Sequence, residues 1–125
     1  MLSLGLPCRI FLRRAATDMR KSFDTLAGLV RVEMGCDPLS GDAFVFVGKA
    51  RNRVKILVFD RSGFWVLAKR LSAGQFGVAG RWRAAGDATQ VELSAAELQM
   101  LLEGIELRDG CYKRQYACGS AASIP

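Results

Sequence analysis

Two β-type runs separated by a four-residue turn constrain this chain more than any other feature. Val54-Lys55-Ile56-Leu57-Val58-Phe59 and Phe64-Trp65-Val66-Leu67 are rich in β-branched and aromatic residues. Asp60-Arg61-Ser62-Gly63 between them has the residue types of a tight hairpin. Setting Asp60 opposite Gly63 places Phe59 against Phe64, Leu57 against Val66, Lys55 against Ala68 and Arg53 against Arg70. The first two pairs favour this register through apolar cross-strand contact. The last opposes two like charges, which needs either solvent or an anionic partner. A slip of one residue would exchange the faces but leave the cations at the same end.

The run before the hairpin, Ala43-Phe44-Val45-Phe46-Val47, turns back through Gly48-Lys49-Ala50-Arg51-Asn52. A meander of three strands therefore brings Lys49, Arg51, Arg53, Lys55, Lys69 and Arg70 to one end. The hairpin face that carries Val54, Ile56, Val58, Trp65 and Leu67 is the more apolar one, so it is the expected core side and needs a helix to cover it.

The strongest helical pattern is Met19, Phe23, Leu26, Val30 and Met34, with Thr17 as N-cap, Asp18 at the positive end and Gly35 as the stop. From Asp18 to Met34 such a helix would be about 26 Å long, enough to cross three strands. Cys8 to Arg13 reads as a first strand, and Thr89 to Leu93 as another short one. Gly74 to Gly80 fits either an edge strand or a loop, and the basic-aromatic triplet Arg81-Trp82-Arg83 follows it. Ser94-Ala95-Ala96-Glu97 is a capping box opening a second helix with Leu98, Leu101 and Leu102 on its apolar face, ending near Gly104. The expected fold is α+β: a helix packed on a mainly antiparallel β-meander, with a second short helix near the C-terminus. Residues 1–108 would form one domain and 109–125 a loosely ordered tail.

Charge is distributed unevenly. Up to Arg83 there are 15 Lys and Arg against 6 Asp and Glu, and after it 3 against 6. A one-sided positive field suits a polyanion, most often nucleic acid; the plainer alternative is a solvated basic surface. The candidate DNA-binding residues are Lys49, Arg51, Arg53, Lys55, Lys69, Arg70, Arg81 and Arg83. The chain has no histidine, which removes the Ser-His and Cys-His hydrolases. Asp18, Asp24, Asp37, Asp42 and Asp60 each have a turn or helix role that explains them without a metal. Cys8, Cys36, Cys111 and Cys118 form no C-x-x-C pair and read as free thiols. There is no Walker-type phosphate loop, no signal-peptide pattern and no run of transmembrane length. A non-catalytic protein of a reducing cytoplasm, with no cofactor, no metal and no membrane partner, fits these features.

Three motifs in order carry a resemblance: Thr17-Asp18-Met19-Arg20-Lys21-Ser22-Phe23-Asp24-Thr25-Leu26-Ala27-Gly28-Leu29-Val30, then Asp37-Pro38-Leu39-Ser40-Gly41, then Val54-Lys55-Ile56-Leu57 with Gly63-Phe64 and Lys69-Arg70-Leu71. They resemble the accessory protein of the insertion sequence sixty-six family, the Orf2 or TnpB type, which is distinct from the RNA-guided nuclease sharing the second name. The resemblance covers residues 8 to about 76 and, less sharply, the capped helix from Ser94. It implies a role in bacterial DNA transposition and recombination beside a transposase, which is expected to hold the catalytic carboxylates. It supplies no catalytic residues to carry over. Three functions are open on this reading: a mobile-element accessory protein that binds DNA through phosphates; an adaptor that docks on the transposase and touches DNA little or not at all; and an enzyme using Asp residues and a divalent metal, against which stands the lack of a converging ligand set in the spacing.

Overall fold

The computed structural model describes residues 9–76, 88–108 and 111–114, with side chains described through Gly104. Elements follow in the order β1 (Ile10–Arg13), α1 (Phe23–Val32), β2 (Ala43–Val47), β3 (Arg53–Asp60), β4 (Gly63–Arg70), β5 (Gln90–Leu93), α2 (Ala95–Leu102), β6 (Ile105–Arg108) and β7 (Cys111–Arg114). The first five strands form one sheet in the order β4-β3-β2-β1-β5. Only β1 and β2 run parallel, and the chain passes between them through α1; every other pair in the sheet is antiparallel. The architecture is α+β, with the meander β2-β3-β4 extended on its far side by β1 and β5. A separate antiparallel pair joins β6 to β7 across the expected boundary of the tail.

The hairpin register is the one the turn chemistry requires. Asp60 pairs with Gly63, Phe59 with Phe64, Leu57 with Val66, Lys55 with Ala68 and Arg53 with Arg70. Arg61 takes a positive φ of 40° to close the turn. Phe59 and Phe64 then meet edge to face, with ring centroids 5.1 Å apart, the arrangement that the ring quadrupoles favour.

The core differs from the expectation in one respect: both faces of the sheet are covered. Leu26, Ala27, Val30 and Met34 bury against Phe44, Phe46 and Leu57 on one face. Val45, Val47, Val54, Ile56 and Val58 bury on the other with Leu71, Phe76, Leu93 and Leu101. The long helix thus lies opposite the face expected to receive it, and α2 with the segment reaching Phe76 covers the Val54-Ile56-Val58 face. The cause is β2, an unbroken apolar strand buried along its whole length, which is stable only with cover on both sides. Trp65, expected in the core, is instead 46% exposed on the edge strand. Its indole N–H donates to Asp60 Oδ2 at 2.8 Å beside the turn.

Helix α1 is shorter than its apolar spacing suggests, ten residues rather than the seventeen from Asp18 to Met34. Thr17 is not its cap: its backbone N–H donates to the Val47 carbonyl at 3.0 Å, tying the chain to the sheet. Asp18 then accepts from the Arg20 backbone N–H at 2.9 Å and binds the Arg20 guanidinium, which turns the chain before the helix begins. Both bonds hold the Asp18 carboxyl well below the usual carboxylate range. The helix starts after Ser22, whose N–H donates to Thr25 Oγ1 at 2.9 Å. Phe23 consequently stands at the first helical position, 46% exposed, and is not the centre of a buried stripe. At the other end Gly35 has φ +65°, and Cys36 N–H returns to the Val30 carbonyl at 3.0 Å.

Helix α2 carries the expected capping box: Ser94 Oγ accepts from Glu97 N–H at 3.1 Å, and Glu97 Oε1 accepts from Ser94 N–H at 2.8 Å. Ser94→Ala should lower stability by about 1 kcal/mol, as for other N-cap losses, measured by denaturant unfolding. A loss of nothing would place α2 outside the cooperative unit.

Candidate nucleic-acid interface

The basic end of the meander is built by the two strand ends and the turn between β2 and β3. Arg53 and Arg70 are direct cross-strand partners, both exposed. Opposed residues in such a ladder hold their Cβ atoms about 4.5–5.5 Å apart, so two guanidiniums rise from one spot on the α1 side of the sheet. The ion pairs among the described residues join Arg9 to Glu92, Arg13 to Glu33 and Arg20 to Asp18. None involves the basic end. Like charge there is uncompensated by any described carboxylate.

Lys49 and Arg51 sit in the β2-β3 turn, Lys49 exposed and Arg51 half-buried with φ +61°. The turn is pinned from behind. Leu71 N–H donates to Asn52 O at 2.8 Å, Phe76 N–H to Arg51 O at 2.6 Å, and Gln75 Nε2 to Ala50 O at 3.0 Å. The fully buried Phe76 anchors that strap. Gly48 at its start is in close contact with Met19, since a Cβ there would lie 2.8 Å from Met19 Cγ. The turn is therefore held at a set height over the sheet end.

Three of the candidate cations have partners within the chain, the longest contact being Arg51 Nη2 donating to Gln75 Oε1 at 3.5 Å. Lys55 Nζ donates to the Lys21 carbonyl at 2.7 Å, half-buried beneath the segment that leads into α1. Lys69 is opposite Val54 and points to the other face, where its Nζ donates to the Leu102 carbonyl at 2.6 Å. It stands at the negative end of α2, a favourable place for a cation. Strand alternation alone separates Lys69 from Arg70, because adjacent residues face opposite sides. Arg81 and Arg83 lie outside the described residues.

Beside the Arg53-Arg70 pair is a groove of about 260 Å³, open to solvent, bounded by Met19, Arg53, Lys55, Ala68 and Arg70. Its space exists because Ala68, the partner of Lys55, has almost no side chain. Met19 and Ala68 carried no signal of a site in the sequence, since the first reads as helix stripe and the second as filler in a strand.

The carboxylates are dispersed. Asp37 accepts from Leu39 N–H, Asp42 from Arg9 N–H and Asp60 from Trp65, each a local turn or strand-end contact. Among the described residues no three Asp, Glu or Cys converge as metal ligands. Glu92 is held below the usual carboxylate range by its bonds to Arg9, and burial pushes the Cys36 thiol up. Neither lies at the basic end.

Comparison with known proteins places the chain. The family described as IS66 Orf2 like protein matches residues 8–111. The chain belongs to this family. The IS66 Orf2 like family is a transposition-associated accessory family of insertion sequences, not a known catalytic one. Among curated relatives, the uncharacterized protein y4hO of Sinorhizobium fredii is 34% identical over 108 residues, which is 86% of this chain and 90% of the relative. The uncharacterized protein y4jC of the same organism is 34% identical over 68 residues, 54% of this chain and 58% of the relative. No solved structure gives a significant match. Among the described residues no helix of this IS66 Orf2 like protein is long and apolar enough to cross a membrane.

Proposed function

We propose that this IS66 Orf2 like protein assists transposition in the cytoplasm by binding DNA through phosphates, with Arg53 and Arg70 as the central contacts and Lys49 and Arg51 beside them. The observation that carries this reading is the pairing of two exposed arginines without a described carboxylate partner. Such a pair costs stability in isolation and is relieved by a phosphate, which two guanidiniums bind with charge-assisted hydrogen bonds. Lys55 and Lys69 shape the site and add to its field, but their ammonium groups are already bonded to carbonyls.

The second reading, an adaptor that docks on the transposase, is favoured by β4, a long edge strand carrying the exposed Trp65. Pull-down of the purified protein with the element's ends and with the transposase, each tested separately, distinguishes the two. Capture of DNA alone supports the first; capture of transposase with no DNA retention at low salt overturns it. The protein acts without catalysing strand transfer. Purified alone with magnesium or manganese it should neither nick nor join DNA, scored on supercoiled plasmid. Metal-dependent nicking lost in Asp18→Asn or Asp60→Asn would contradict this.

A further inference from the structure

The groove beside the Arg53-Arg70 pair has a composition that a duplex backbone does not need. Its wall is mostly apolar although cations frame it, because Met19 and Ala68 supply its surface together with the aliphatic stems of the basic side chains. A row of duplex phosphates meets only charge and water. At about 260 Å³ the groove falls just below the usual range of small-ligand clefts, which begins at about 300 Å³. That is room for about one nucleotide, not for paired strands.

We propose that this groove holds a single unpaired nucleotide of DNA: its phosphate lies between the Arg53 and Arg70 guanidiniums, and its sugar and base lie against Ala68 and Met19. The inference rests on the phosphate-binding reading above and narrows its substrate to DNA with a single-stranded or frayed segment. Each part of the groove has a chemical match. The two guanidiniums supply forked donors for phosphate oxygens. Lys55 lines the groove with its ammonium bonded to the Lys21 carbonyl and adds positive potential to it. Met19 lines the groove and abuts Gly48, and its polarizable thioether suits the flat face of a base. Unpaired bases, unlike stacked ones, are free to enter.

The test compares a short mixed-sequence single strand with the duplex formed from it, by fluorescence anisotropy on the full chain. The parent should bind the single strand more tightly than the duplex. Ala68→Leu fills the groove without altering any charge and should lower the ratio of single-strand to duplex affinity about three- to tenfold, a loss of the size that a thioether contact with a ring supplies. Ala68 is exposed on an edge strand, so the variant should fold; Ala68→Val, with a better strand former, repeats the test if it does not. A ratio unchanged in both variants, or a parent that prefers duplex, overturns the groove while leaving phosphate binding standing. A parent that binds neither DNA overturns both.

Discussion

Replacing Arg53 and Arg70 together by Ser should weaken DNA binding by about 10- to 100-fold at moderate salt, on the order of 1.4 kcal/mol for each tenfold step. The same change should flatten the dependence of log K on log salt by roughly 0.9, the share of the one phosphate that the pair holds. Folding should be unharmed. The two side chains are exposed, face one another and have no described carboxylate partner, so their removal relieves repulsion and leaves the core as it is. Thermal melts alongside the binding titration check both parts. A large drop in melting temperature would show that the pair is structural, and an unchanged salt slope would remove it from the interface.

The largest effect on stability belongs to Phe44→Ala, expected to cost about 3–5 kcal/mol, the range for truncating a buried aromatic. Phe44 is fully buried, stacks on Phe11 with ring centroids 5.8 Å apart and packs in the cluster that receives Leu26 and Val30 of α1. Phe23→Ala should cost less than about 1 kcal/mol by contrast, because its ring is 46% exposed at the first helical position and surface changes are usually small. Urea unfolding of both variants measures the difference. Equal losses would mean that Phe23 is packed in solution as its spacing suggests. An unchanged Phe23→Ala melt with lost partner binding would mark that ring as a contact surface and favour the adaptor reading.

The hairpin was legible residue by residue because its determinants are local: a turn that fixes one pair fixes every pair after it. The capping box at Ser94 was legible for the same reason. The start of α1 was not. Thr17 has the residue type of a cap, but the bond from its N–H to Val47 is a tertiary contact between segments thirty residues apart in the chain, and it overrides local preference. Phe76 was hidden similarly, since an aromatic among glycines reads as loop until the strap that buries it is seen. The cover on both faces was available in principle from the unbroken apolar run of β2.

Within the site, sequence placed Lys49, Arg51, Arg53, Lys55, Lys69 and Arg70 at one end, and the folded chain does collect them there. It also sorts them. Alternation sends Lys69 to the α2 side, and the segment before α1 takes up Lys55, two consequences that depend on which elements cover which face. The groove could not be read at all, because it is defined by a side chain that is nearly absent at Ala68 and by one from another element, Met19.

The most direct test of phosphate binding is the equilibrium affinity of the full chain for duplex DNA across a range of salt concentrations. With Lys49, Arg51 and the Arg53-Arg70 pair contacting about three phosphates, log K should fall linearly with log salt at a slope of roughly −3. A flat response, or no binding even at low salt, would contradict the account.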